Sequence, residues 1–353
     1  MTQTKVWIVD NIVDKLSDYP QLVEAAKFLN EDEVVAFPTE TVYGLGANAY
    51  STEAVEKVFK AKGRPSDNPL IIHIAEFEEL SKVASEITES AKRLTDAFWP
   101  GPLTVVLPKK GPLSPLVTAG LDTVGIRMPD HPVALELIRQ VGKPLAAPSA
   151  NRSGKPSPTQ GHHVLEDLDG KIAGLVDAGP TGIGVESTVV DCTTSPVTLL
   201  RPGGVTLEQL EAVLGEVVVD PALIRTDVTP KSPGLKYKHY SPNAPVLLIE
   251  SPEILQDQIG LGHSDGKKIG VLTTDEHLDL FKDADYVVSC GKRSELRTVA
   301  QNIYGALRQF DELDVDLILS ETFPNNGIGG AIMNRLTKAA GGHIIGESTK
   351  TRT

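Results

Sequence analysis

KGRPSDNPLIIHI, residues 62–74, decides the fold class, because a helix ends at its first residue and a strand begins inside it. Upstream, Ser51 is an N-cap residue, Glu53 places an acid in the first turn, and Ala54, Val55, Val58 and Phe59 recur at helical spacing. Gly63 then supplies a stop. Downstream, Leu70 to Ile74 is a short apolar run bounded by Pro69, which is the pattern of a buried strand. The same alternation recurs on both sides. Runs 34–37, 103–107, 123–128 and 187–190 read as strands. Pro132 and Gly142 bracket a helix carrying Val133, Leu137, Ile138 and Val141, after which LAAPSAN leaves a strand for a loop. The class is α/β.

A chain of 353 residues exceeds the prior of about 150 for one domain, so two domains are expected. The pattern changes between Asp220 and Pro245, where proline, basic and aromatic residues replace periodicity. This is a linker, and Lys236, Tyr237, Lys238, His239 and Tyr240 give it groups able to cover a phosphate or a base. A passive spacer is an equal reading. Beyond it, strands at 246–249, 269–272, 286–288 and 317–319 alternate with helical segments, the signature of βαβ units. Leu296, Val299, Ala300, Ile303, Leu307 and Phe310 form one helical stripe explained by packing.

Hydrophobic residues make up 40% of the chain and charged residues 23%, which is ordinary globular composition. The net charge of -13 argues against a surface that clings broadly to nucleic acid, so phosphate binding is expected to be local. Cys192 and Cys290 are far apart with no CxxC spacing, which suggests neither a disulfide framework nor a zinc cage. MTQTKVWIVDN carries no long apolar core of a signal peptide and no run reaches membrane-spanning length, so a cytoplasmic location is expected. GxxxxGK[ST], HExxH and GxSxG are all missing. The adjacent His162 and His163 read as the start of a surface helix rather than as metal ligands.

Three polar stretches at element ends remain: PTETVYGLGANA at 38–49, KGRPSDNPLIIHI at 62–74 and APSANRSGKPSPT at 147–159. Lys62, Arg64, Ser66 and Asn68 could converge on phosphate oxygens, although cations after a helix also suit its C-terminal dipole. Ser149 and Asn151 can meet a ligand or hold a turn. Arg127 interrupts the buried-looking strand TVGIRMP and requires a partner such as a carboxylate, from protein or substrate. His73 interrupts LIIHI and fits a satisfied core histidine as well as a ligand contact, and Arg201 fits a surface charge at a strand end.

Taken together, these residues resemble the YrdC-type family of threonylcarbamoyl-AMP synthases, in the long form with an extra C-terminal domain. The resemblance rests on Lys62 and Arg64 in KGR and Ser149 and Asn151 in SAN, the family's KxR and SxN signature, with PTETVYGLG, DNPLIIHI, WPGPLT and GIRMPDHP. SPGLKYKHYSP and NGIGGAIMNRLTKAA extend it over nearly the whole chain. It implies a YrdC-like catalytic domain at 10–215, a twisted mixed sheet with a basic cavity. A linker or lid at 216–244 and a smaller Rossmann-like parallel-sheet domain at 245–345 would follow. By resemblance, Arg64, Asn68, Thr123, Ser149, Ser157 and Arg201 would contact ATP, with Tyr237 and Tyr240 in the lid and Lys62 and Asn151 completing the signature. Thr41, His73, Arg127, Ala147 and Ser187 would contact L-threonine.

The implied reaction joins L-threonine, CO2 or bicarbonate and ATP into threonylcarbamoyl-AMP, for threonylcarbamoyladenosine modification of tRNA beside the anticodon. Mg2+ would accompany ATP, with no dedicated protein metal site and no tightly bound organic cofactor. The product would pass to a tRNA threonylcarbamoyl transferase complex, with at most weak tRNA contact and no membrane. The competing reading is a translation or ribosome-maturation factor that binds double-stranded RNA or tRNA, against which the net charge weighs. A carbamoyl transferase of the hydrogenase-maturation kind is disfavoured by the missing CxxC pairs.

Overall fold

A computed structural model describes residues 3–10, 17, 19–223 and 240–346. The chain divides into two units, one of residues 1–153 and 157–236, the other of residues 154–156 and 237–353.

In the first unit the run at 34–37 shows why the sheet is buried on both faces. Val34 and Ala36 enter one hydrophobic cluster, while Val35 and Phe37 enter another. Side chains alternate across a strand, so a run apolar at every position belongs between two layers. Leu145, Ala146 and Ala147 divide in the same way. The helices Pro20–Asn30 and Pro132–Val141 cover one face, and the helices Thr52–Lys62, Glu89–Phe98, Gly161–Leu168 and Leu207–Leu214 contribute to the other cluster.

The strands are β1 (Lys5–Ile8), β2 (Val35–Phe37), β3 (Gly44–Asn48), β4 (Ile71–His73), β5 (Leu103–Pro108), β6 (Thr123–Arg127), β7 (Leu145–Ala146), β8 (Gly174–Asp177), β9 (Thr188–Asp191), β10 (Val197–Arg201) and β11 (Val217–Val219). They form one sheet in the order β1-β8-β2-β3-β7-β4-β6-β5-β9-β10-β11. It is mixed: β4 runs parallel to β6, for example, while β7 runs antiparallel to both β3 and β4.

Several expected elements stand where the local chemistry puts them. Ser51 accepts a hydrogen bond from the Ala54 amide and caps the helix Thr52–Lys62, and Gly63 ends it at φ 61°. Pro132 opens the helix Pro132–Val141 and Gly142 closes it at φ 68°. Two expectations are corrected. Val217–Val219, expected to begin the linker, pairs in parallel with β10 and so belongs to the sheet. The helix Gly161–Leu168 does begin at the histidine pair, but only His162 is exposed; His163 is buried, and its Nδ1 accepts from the Thr159 amide.

The second unit is a five-stranded, wholly parallel sheet of β12 (Val246–Ile249), β13 (Ile269–Thr273), β14 (Tyr286–Ser289), β15 (Leu317–Glu321) and β16 (Ile344–Ile345), in the order β14-β13-β15-β12-β16. Ile254, Leu255 and Ile259 of the helix Pro252–Ser264 pack on Ile269, Val271 and Leu319. The stripe on the helix Leu296–Gln309 buries Val299, Ala300, Ile303 and Leu307 as its spacing predicts. Among the described residues no helix is long and apolar enough to cross a membrane.

Candidate active site

The three polar stretches, far apart in sequence, meet at one edge of the strand ends in the first unit. β3, inside the first stretch, donates from the Leu45 amide to the Pro148 carbonyl at 2.7 Å, and the Ala150 amide donates to the Tyr43 carbonyl at 2.8 Å. The Ala147 amide donates to the Ile71 carbonyl at 2.9 Å, tying in the second stretch.

Lys62 makes the strongest tie. It is buried, and its ammonium donates to the carbonyls of Ser149 (2.5 Å) and Asn151 (2.7 Å) and to Asn151 Oδ1 (3.2 Å). Ser149 Oγ donates to the same Oδ1 at 2.6 Å, and the Ser153 amide donates to the Lys62 carbonyl. Lys62 was expected to reach for phosphate; in this structure its ammonium holds the SxN turn instead. The two signature pairs are thus one device, a buried cation beneath a turn that presents the Ser149 hydroxyl. Arg64 is differently placed. It is half-buried, and its Nη2 makes long contacts of 3.3 and 3.5 Å to the carbonyls of Asn68 and Pro69. Asn68 is buried with no hydrogen-bond partner for its Nδ2, a donor that an incoming oxygen would satisfy.

Arg127, at the end of β6, has the carboxylate partner its burial requires. Its Nη2 lies 2.6 Å from Glu40 Oε1, its Nη1 donates to Thr41 Oγ1 at 2.8 Å, and its Nε donates to the Gly101 carbonyl at 3.2 Å. His73 stands opposite Arg127 in the β4–β6 register and opposite Leu145 in β7, and its ring meets Phe37 edge-on. Burial, reinforced by the nearby guanidinium, pushes its pKa down to about 3, so the ring is neutral at ordinary pH. Thr41, His73, Ala147 and Arg127 therefore share one neighbourhood, whereas Thr123 begins the same strand four residues away, about 13 Å along it.

A second network lies along β9 and β10. Ser157 Oγ donates to Glu186 Oε1 at 2.5 Å, and Ser187 Oγ is 2.8 Å from Thr104 Oγ1. Arg201 donates to the Ser187 carbonyl from Nε (3.1 Å) and Nη2 (2.9 Å), and to Ser187 Oγ at 3.1 Å. The reading of Arg201 as a surface charge is corrected: it is 6% exposed. Lys62, Arg127 and Arg201 are all buried.

Tyr240 belongs to the second unit, where it is buried, stacks on Tyr304 at 5.4 Å and lies under the Arg335 guanidinium. Its ring is thus engaged in packing within that unit. Tyr237 and His239 lie outside the described residues.

Sequence reasoning missed two acids, Glu40 and Glu186. Glu40 stands inside PTETVYGLG, where the partner demanded by Arg127 was the signal for it, and Glu186 directly precedes the strand run 187–190. Glu40 also acts on its neighbours. Burial raises the Asp130 pKa and Glu40 adds to that rise; burial lowers His131 to about 4, and Glu40 partly offsets the fall.

Two family profiles match the chain. Residues 27–203 match Sua5/YciO/YrdC, described as telomere recombination, and residues 205–341 match the threonylcarbamoyl-AMP synthase C-terminal domain. A threonylcarbamoyl-AMP synthase of Bacillus subtilis is 58% identical over 97% of this chain and 99% of its own length. That of Pyrococcus abyssi is 49% identical over 96% of this chain and 99% of its own. The crystal structure of P. abyssi Sua5 complexed with L-threonine aligns at a TM-score of 0.91 and 48% identity, covering 97% of this chain and 99% of that one. The chain belongs to the Sua5/YciO/YrdC family, in its long form with a synthase C-terminal domain, and is an enzyme of the threonylcarbamoyl-AMP synthase kind.

Proposed function

We propose that the chain makes threonylcarbamoyl-AMP and pyrophosphate from L-threonine, CO2 or bicarbonate, and ATP, as the activated donor for threonylcarbamoyladenosine in tRNA. The observation that carries the reading is Arg127: a buried guanidinium fixed by Thr41 and Gly101 at a convergence of strand ends, in a chain 48% identical to a protein solved with L-threonine. A guanidinium held on two sides recognises a carboxylate with little loss of side-chain freedom.

In this reading the threonine amine captures CO2, and the resulting carbamate oxygen attacks the α-phosphorus of ATP and expels pyrophosphate. No covalent enzyme intermediate is required, because positioning and charge stabilisation can drive in-line attack. Arg64 and the unpartnered Asn68 amide donate to phosphate oxygens, while Lys62 keeps Ser149 and Asn151 in place beside them. Ser157 and Arg201 complete the nucleotide contacts, and Ser187 serves threonine. Mg2+ enters with ATP as part of the substrate and offsets phosphate charge. The adenylate then passes to a tRNA-modifying transferase.

The test is pyrophosphate release from ATP with and without threonine and bicarbonate, with the nucleotide product weighed by mass spectrometry. Release that needs both, and a threonylcarbamoyl adenylate, is the expected result. Salt-sensitive retention of bare RNA, without threonine-dependent ATP consumption, would instead favour the RNA-binding reading.

A further inference from the structure

Arg127 and Glu40 form a buried pair of opposite charges, yet the pair is incompletely used. The Glu40 side chain is 11% exposed, and both its oxygens are buried without a hydrogen bond; the 2.6 Å approach to Arg127 Nη2 is an ion pair in distance but lacks hydrogen-bond alignment. Arg127 Nη2 is likewise without a hydrogen bond, while Nη1 and Nε are fixed by Thr41 and Gly101. Buried polar atoms are rarely left this way, and at a site the omission points to a ligand. The ligand that matches is one with both signs on adjacent groups. An α-amino acid is such a ligand: its carboxylate can take the hydrogen bond that Arg127 Nη2 lacks, which leaves its ammonium beside Glu40. The other titratable neighbours offer no competing cation, since burial keeps His131 neutral and Asp130 is itself an acid.

We propose that Glu40 receives the α-ammonium group of the amino-acid substrate and takes one of its protons. The assignment rests on the synthase reading. As the amine reacts, one N–H bond breaks and its proton moves to a Glu40 carboxylate oxygen. The freed nitrogen lone pair forms the N–C bond to CO2 as a C=O electron pair moves onto oxygen, and the nitrogen then loses a second proton to water to give the carbamate.

Calorimetric binding of L-threonine and of 3-hydroxybutyrate, which lacks only the amine, separates this role from one of merely holding Arg127. Glu40→Gln is expected to weaken threonine binding roughly 10- to 100-fold, the range for a lost hydrogen bond to a charged group, and to leave 3-hydroxybutyrate binding unchanged. Equal losses for both ligands would mean that Glu40 only positions Arg127, and would overturn the proposal. Should the variant not fold, the unaltered chain still decides: 3-hydroxybutyrate must bind more weakly than threonine by a comparable factor, and equal affinities overturn the assignment alone. Absence of threonine binding in the unaltered chain overturns the synthase reading, and this inference with it.

Discussion

At the scale of single residues, the site separates Lys62, which holds a turn, from Arg64, proposed above as a phosphate contact. Lys62 satisfies three oxygens of the 149–151 turn, so Lys62→Met should leave them buried and unsatisfied. A stability loss of about 1–3 kcal/mol or more in urea unfolding is expected, together with lost turnover. Arg64 is half-buried and its Nη2 contacts to the Asn68 and Pro69 carbonyls are long, so Arg64→Ala should change stability by no more than about 0.5 kcal/mol while turnover falls roughly 100-fold or more. Near-normal pyrophosphate release by Arg64→Ala would remove it from the phosphate site. His73 makes a pH prediction. Its folded pKa of about 3 lies below the ordinary value near 6.5, so the unfolded chain binds a proton that the folded chain refuses. Stability is therefore full above about pH 6.5 and falls as pH drops toward 3. Between pH 7.5 and 5 the loss from this histidine is on the order of 2 kcal/mol, and His73→Phe should show that much less of a drop. An identical pH dependence in the variant would contradict the neutral, buried ring.

At the scale of elements, the helix Thr52–Lys62 sets where both signature cations emerge. Its C-terminal Gly63 has φ 61°, and a Cβ there would meet nothing within 4 Å, so the cost of substitution is purely one of backbone conformation. Gly63→Ala should destabilise the protein by about 1 kcal/mol, and Gly63→Asn by less, because asparagine tolerates the left-handed region. Equal thermal midpoints for the two would argue against that conformation. This helix was legible because its cap, acid, apolar stripe and stop all agree. β3, with sequence GLGAN, was not, since glycine and alanine carry no strand preference and only pairing with β2 and β7 makes it one. β16 has two residues, too few for any periodicity to show. The strand order of the first unit was likewise out of reach, because it depends on which distant segments pair. The site was legible in part for a related reason. KxR and SxN could be noticed as patterns, but that Lys62 bonds the SxN turn and that Glu40 answers Arg127 are facts of tertiary approach. Of the two readings of Arg201, the surface charge fails because a strand end in sequence need not be a surface in the fold.

At the scale of the whole molecule, a mixed sheet gathers the KxR and SxN residues and Arg127 in one unit, while the second unit repeats a parallel α/β plan. The central claim is that these parts serve one reaction, in which threonine and bicarbonate are both needed before ATP is cleaved between its α- and β-phosphates. The most direct measurement is pyrophosphate release by the purified full chain with MgATP, omitting threonine and bicarbonate in turn. Release only when both are present, accompanied by threonylcarbamoyl-AMP in the mass spectrum, is the expected result. Release indifferent to threonine, or none from folded protein that binds ATP, would contradict it.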